Sequence, residues 1–172
     1  MLIYLQMIET PEDRSKFEII YEEYRDMMYW KANKILRNTM DAEDAVHQAF
    51  VRVAENIKKI SDPMCPQTRS YIVIILEHCA IDIYRRKKNH PNIVLIPEAV
   101  GIDVEYNGSN ELAKCMAKLK PRERHILLLR HYHGYSLKEI AEILKLTYSN
   151  VKKIDQRATK KLEELCERAH IL

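Results

Sequence analysis

The stretch that decides the fold is Ser136-Leu-Lys-Glu-Ile-Ala-Glu-Ile-Leu-Lys-Leu-Thr-Tyr-Ser-Asn-Val151. Ser136 with Glu139 three residues on has the form of a capping box, which opens a helix by satisfying its first free N–H groups. Leu137, Ile140, Ala141 and Leu144 then recur at three- and four-residue steps and give that helix an inner face. Lys145-Leu146 turns the chain, and Thr147 caps a second helix predicted to run to about Ala169. The small Ala141 lets the two helices approach, and Val151 packs the second onto the first. Helix, tight turn and helix in this order form a helix-turn-helix, a device that presents one helix to the major groove of DNA.

The second helix is expected to carry its apolar seam on Val151, Ile154, Ala158, Leu162 and Leu165. The opposite face holds Tyr148, Ser149, Asn150, Lys152, Lys153, Gln156 and Arg157, with Lys160 and Lys161 further along. Asn, Ser and Gln side chains can read base edges, and Lys and Arg also neutralise phosphate. The same pattern would suit an ordinary amphipathic helix with solvated lysines; the cap, the turn and the charge bias together favour DNA.

Outward from this stretch the chain stays helical. Pro121–Tyr132 reads as a helix ended by Gly134, and Glu111–Leu119 as a shorter one before it. Toward residue 1 three longer helices are expected. The first spans Phe17–Leu36 and is capped by Thr10 or Ser15, and the second starts at Asp41. The third covers Thr68–Lys88, beyond a Lys58–Gln67 loop holding Pro63 and Pro66. Glycine, at 3 of 172 residues, is too scarce for a turn-rich sheet protein. The expected fold is therefore all-α, with helical domains over residues 1–88 and 111–172 and a flexible linker over 89–110. In that linker Pro91, Pro97, Gly101 and Gly108 break regular structure.

Charge divides the chain in the same places. Residues 1–88 carry 14 basic and 14 acidic side chains, and residues 89–110 carry only three acids. Residues 111–172 carry 14 basic against 8 acidic, so the basic excess sits on the helix-turn-helix side. The four cysteines are scattered, which gives no zinc-type cluster; neither metal nor cofactor is expected. A glycine-rich phosphate loop and a nucleophile–base pair at a known spacing are both missing, so the expectation is not an enzyme. The apolar Met1–Ile8 is too short for a membrane span and lacks a cationic leader; a cytoplasmic protein without membrane insertion is expected.

Three segments resemble one family. Leu119-Lys-Pro-Arg-Glu-Arg-His-Ile-Leu-Leu-Leu-Arg130 followed by Gly134–Ala141 resembles the C-terminal promoter-binding domain of bacterial sigma factors. Asp41-Ala-Glu-Asp-Ala-Val-His-Gln-Ala-Phe-Val-Arg-Val53 is similar to the family's core-polymerase-binding helix. Ala80-Ile-Asp-Ile-Tyr-Arg-Arg-Lys-Lys88 is similar to the end of its promoter-melting helix. The order matches the family's, and the short chain without a middle domain resembles the extracytoplasmic-function class.

The resemblance implies partners and roles. RNA polymerase core would dock on Glu43, Asp44, Gln48, Phe50 and Arg52, with Phe50 equally readable as a core residue. Tyr71 and His78 would face a base flipped from the minus-ten element, although Tyr71 equally suits a buried position. Arg85, Arg86, Lys87 and Lys88 would grip promoter phosphate. The Tyr148–Arg157 face would read the minus-thirty-five element. An anti-sigma factor, often membrane-anchored, is a further implied partner. Lys145 stands where the family often has glycine, and a left-handed conformation there costs roughly 1–2 kcal/mol. Set against this reading is a stand-alone helix-turn-helix regulator whose N-terminal helices dimerise or sense a signal.

Overall fold

The computed structural model describes residues 1–88 and 111–169. The expected linker, residues 89–110, lies outside the described residues. The chain separates into two compact units, Met1–Val100 and Gly101–Leu172. Among the described residues every regular element is a helix.

The first unit contains α1 (Leu2–Leu5), α2 (Pro11–Leu36), α3 (Thr39–Glu55) and α4 (Pro66–Lys88). Helix α2 starts six residues earlier than its apolar period suggests. Thr10 accepts a 3.2 Å bond from the Asp13 N–H and Pro11 occupies the first turn, where its missing donor costs nothing. Ser15 is no cap; its hydroxyl donates to the Pro11 carbonyl instead. Helix α3 is capped by Asn38, which accepts from the Asp41 N–H at 3.0 Å. Asp41 therefore lies inside the first turn rather than starting the helix. Pro66 likewise opens α4 instead of belonging to the loop before it, and the Cys65 sulfur accepts from the Thr68 N–H at 3.4 Å. One 3-10 turn, Ile57–Lys59, overlaps the start of the expected loop.

Helices α2, α3 and α4 pack on one another pairwise. Phe17, Ile20 and Met28 of α2 meet Ala42, Ala45, Ala49, Phe50 and Val53 of α3, all fully enclosed. The alanines let the α3 backbone come close. Helix α4 is enveloped, with every residue from Ser70 to Ile81 buried, Glu77 and His78 among the apolar ones.

The second unit contains α5 (Glu111–Ala117), α6 (Pro121–Leu127), α7 (Leu137–Ile143) and α8 (Tyr148–Arg168). Helix α5 stops two residues short of Leu119, which is buried beyond its end. The expected Pro121–Tyr132 helix widens at Leu128–Tyr132 into a single π turn, closed by a 3.0 Å bond from the His133 N–H to the Leu128 carbonyl. Gly134 follows at φ 75° and ends the element. Ser136 and Glu139 form the reciprocal capping box: the Ser136 N–H donates to Glu139 Oε2 at 2.9 Å, and the Glu139 N–H to Ser136 Oγ at 3.3 Å.

The turn between α7 and α8 has a definite form. Lys145 is left-handed at φ 52°. Its N–H donates to the Glu142 carbonyl at 3.1 Å, and the Leu146 N–H donates to the Ala141 carbonyl at 2.8 Å. This is a Schellman closure, which satisfies two end carbonyls and offsets the cost of holding a lysine at positive φ. Thr147 then accepts from the Asn150 N–H at 3.3 Å and starts α8.

One part of the α8 reading is corrected. Its buried residues are Val151, Asp155, Ala158 and Cys166, and Ile154 is only half-buried. The seam passes through the carboxylate because Arg130, on the π turn, pairs with Asp155. A buried carboxylate is tolerable only with such a partner.

Candidate nucleic-acid and polymerase interface

On α8 the periodicity has a direct spatial result. Anchoring Val151, Asp155 and Ala158 inward leaves Tyr148, Ser149, Asn150, Lys152, Lys153, Gln156 and Arg157 exposed. These candidates thus occupy the first turns of one rigid helix. Behind it, α6 and α7 pack against α8 and fix its position within the unit. Lys160 is exposed as well, whereas Lys161 is half-buried and pairs with Glu123 at 3.4 Å. Lys145, absent from the expected DNA-facing set, is also exposed beside the start of α8. Its sequence signal is its position in the turn of the motif.

The π turn supports this arrangement. His133 stacks on Tyr135 at 6.1 Å between ring centroids, and burial pushes its imidazole down to about 4. It is therefore neutral at physiological pH and contributes no positive charge toward a polyanion. Burial and the neighbouring Glu139 push the Tyr135 phenol up.

In the first unit the candidates divide. Arg85, Arg86 and Lys87 are exposed at the end of α4. Lys87 Nζ pairs across to α3, 2.6 Å from each carboxylate oxygen of Asp41. Lys88 closes α4, and its side chain lies outside the described residues. Tyr71 and His78 lie inside the bundle, 2% and 1% exposed, the buried position that Tyr71 equally suits. His78 Nε2 sits 3.1 Å from Asp82 Oδ2. Ser70, Glu77 and His78 are enclosed together with the apolar residues around them, so the middle turns of α4 belong to the core. The same core holds the free thiol of Cys79, pushed up to about 11 by its burial.

On α3, Glu43 and Asp44 are exposed and Gln48 is half-buried. Phe50 is a core residue, fully enclosed and 5.9 Å from Phe17 between ring centroids. Arg52 is buried, and its Nη1 has no hydrogen-bond partner among the described residues. Phe50 also forms part of the wall of a cleft beside Tyr4.

Two further features escape sequence reasoning. Tyr4 of α1 is hydrogen-bonded to His47 of α3 at 2.7 Å. Beside it opens a cleft of about 450 Å³ lined by Tyr4, Tyr21, Tyr29, Glu43 and His47. The only signal in the sequence is the apolar character of Met1–Ile8. Among the described residues, no three His, Cys, Asp or Glu side chains converge as a metal site would require.

An exposed polar helix set on a helix-turn-helix, and a separate three-helix packing ending in a basic run, define a helical DNA-binding protein. Comparison with known proteins narrows the class. The Sigma-70 region 2 family profile matches residues 20–90, and the Sigma-70, region 4 profile matches residues 109–162. The ECF RNA polymerase sigma factor SigW of Bacillus subtilis is 26% identical over 159 residues, spanning 81% of this chain and 83% of the relative. The B. subtilis ECF sigma factor SigX is 21% identical over 166 residues, covering 88% and 84%. The ferric citrate uptake sigma factor FecI of Escherichia coli is 27% identical over 153 residues, covering 83% and 86%. Among solved structures, the sigma factor RpoE in complex with the anti-sigma factor NepR, from Bartonella quintana, aligns with TM-score 0.43 at 17% identity over 86% of this chain and 94% of that one. CnrH in complex with the cytosolic domain of CnrY aligns at TM-score 0.41 and 20% identity, over 97% and 96%.

The chain belongs to the sigma-70 family, in its extracytoplasmic-function class. It is a transcription initiation factor that directs RNA polymerase to promoters, and sigma factors are non-enzymatic. The stand-alone regulator is not favoured, because a region 2 match precedes the helix-turn-helix.

Proposed function

We propose that the second unit reads the minus-thirty-five element through α8, and that the first unit holds polymerase core and the minus-ten element. The observation that carries the reading is the shared exposure of Tyr148, Ser149, Asn150, Lys152, Lys153, Gln156 and Arg157 on one braced helix. Tyr148, Ser149, Asn150 and Gln156 supply the groups for base edges, and the cations bind phosphate. Arg85, Arg86, Lys87 and Lys88 hold phosphate near the minus-ten element. Glu43, Asp44 and Gln48 form the polar part of the polymerase-binding surface.

The chain works in the cytoplasm and catalyses no reaction of its own. Among the described residues no helix is long and apolar enough to cross a membrane. An anti-sigma factor is the expected inhibitor, as NepR is named for the RpoE complex.

The deciding experiment adds the purified chain to core polymerase and measures initiation on promoter fragments. The expected result is a stable complex and promoter-dependent transcripts that vanish when the minus-thirty-five element is scrambled. A chain that binds promoter duplex and ignores core polymerase overturns the proposal.

A further inference from the structure

Residues 1–8 have no part in the reading above, yet they are built into the first unit. A four-residue helix is far too short to persist in water alone, so α1 owes its shape to docking. Tyr4 and Ile8 do the docking, 8% and 3% exposed. The Tyr4 ring lies 5.5 Å from Phe17, 5.7 Å from Phe50 and 5.4 Å from His47, centroid to centroid. Its hydroxyl adds the bond to His47 Nδ1.

His47 places this anchor. It is exposed, one turn beyond Glu43, and residues 43, 44, 47 and 48 share the outer face of α3. What the docking leaves outside is unusual for an ordered element. Leu2 and Ile3 are 75% and 66% exposed, and Met1 and Met7 are exposed beside them. Scattered apolar side chains on a surface mean little. Several on one fixed turn, whose Tyr4 is hydrogen-bonded to the outer face of α3, mark an interaction surface.

We infer that α1 is part of the surface that RNA polymerase core buries, with Leu2 and Ile3 as its apolar anchors. The inference rests on the assignment of Glu43 and Asp44 to polymerase binding. The partner surface offers apolar side chains to α1 and basic ones to Glu43 and Asp44, the apolar centre and polar rim usual for a protein interface. The cleft beside Tyr4 is lined by Glu43 as well as Tyr4, and so joins these two parts.

The test measures affinity of the full chain for core polymerase in three variants. Leu2→Ser with Ile3→Ser should weaken binding about tenfold, since buried apolar anchors dominate interface energy. Both positions are exposed, so the unfolding midpoint and the affinity for minus-thirty-five duplex should not change. Tyr4→Phe keeps the ring and loses the hydroxyl, and should weaken core binding several-fold. Glu43→Lys reports on α3 by itself. Parental core affinity in the Leu2/Ile3 variant beside weakened Glu43→Lys overturns the role of α1 and leaves that of α3 standing. Parental affinity in both overturns the two together. Loss of self-association with unchanged core binding makes the patch an interface between copies, and the inference fails.

Discussion

Helices α4 and α8 are nearly equal in length, and the sequence assigns each an aromatic residue and a set of cations for promoter DNA. Their candidates have opposite fates. On α8 the aromatic Tyr148 stands in solvent, whereas on α4 the aromatic Tyr71 is 2% exposed and inside the bundle. The difference lies in how many sides each helix must bury. Helix α8 packs one seam and frees the rest of its surface, while α4 is surrounded from Ser70 to Ile81 and is exposed only toward its ends, at Gln67 and Arg69 and at the basic run. Recognition on α8 is a property of a face; on α4 it is a property of a terminus.

The sharpest way to break that contrast is to truncate both tyrosines. Tyr71→Ala should destabilise the first unit by about 3–5 kcal/mol, the range for removing a buried aromatic ring. Tyr148→Ala should stay within about 0.5 kcal/mol of the parent and weaken binding to minus-thirty-five duplex. Denaturant unfolding together with duplex titration measures both. Unchanged stability with abolished promoter opening in Tyr71→Ala would return that ring to the DNA surface.

A smaller effect tests the charges on α8. Replacing Lys152 and Lys153 by Ala should lower the slope of log affinity against log salt by roughly 0.9 for each phosphate no longer neutralised. The cations ending α4 should leave the minus-thirty-five slope alone. A salt titration of duplex binding that shows no change for the α8 pair would remove them from the interface.

The smallest expected effect concerns pH. His133 is held down to about 4 by burial, against an ordinary 6.5. Below 6.5 the unfolded chain binds a proton that the folded chain refuses, so stability falls as pH drops from about 6.5 toward 4. The melting temperature of the second unit should therefore decline through that window, and His133→Phe should flatten this part of the decline. The acid response of the first unit should be indifferent to the substitution, because the imidazole stacks on Tyr135 within the second.

How legible each region is follows from the same geometry. Helix α8 reports its outward face through a 3.6-residue period, and the caps at Thr147 and Ser136 are local signals confined to four residues. Asp155 defeats that reading because the partner that lets a carboxylate enter the seam, Arg130, stands 25 residues away. Periodicity treats such a residue as solvent-facing by default. On α4 the run Tyr71–Ile75 is apolar on every side, so nothing in its spacing says which side is outermost. The base-facing role of Tyr71 and His78 comes from family resemblance alone, and packing puts both rings inside, where Tyr71 is equally expected. The start of α3 is ambiguous for a simpler reason: Asn38 and Asp41 are both strong cap formers, and only the hydrogen bond to the Asp41 N–H separates them.

The pair between Lys87 and Asp41 makes one anion a rehearsal for another. Both carboxylate oxygens of Asp41 face the same ammonium, in the place a phosphate would take on the proposed reading of α4. Lys87 is half exposed while Asp41 is buried, so a phosphate that takes the ammonium must leave the carboxylate to water or to another partner. DNA arriving at the end of α4 then releases a carboxylate in the first turn of α3, two residues from Glu43. By reciprocity, whatever draws Asp41 away frees the lysine for DNA. Two binding events at different surfaces of the unit are thereby made to bargain over a single positive charge.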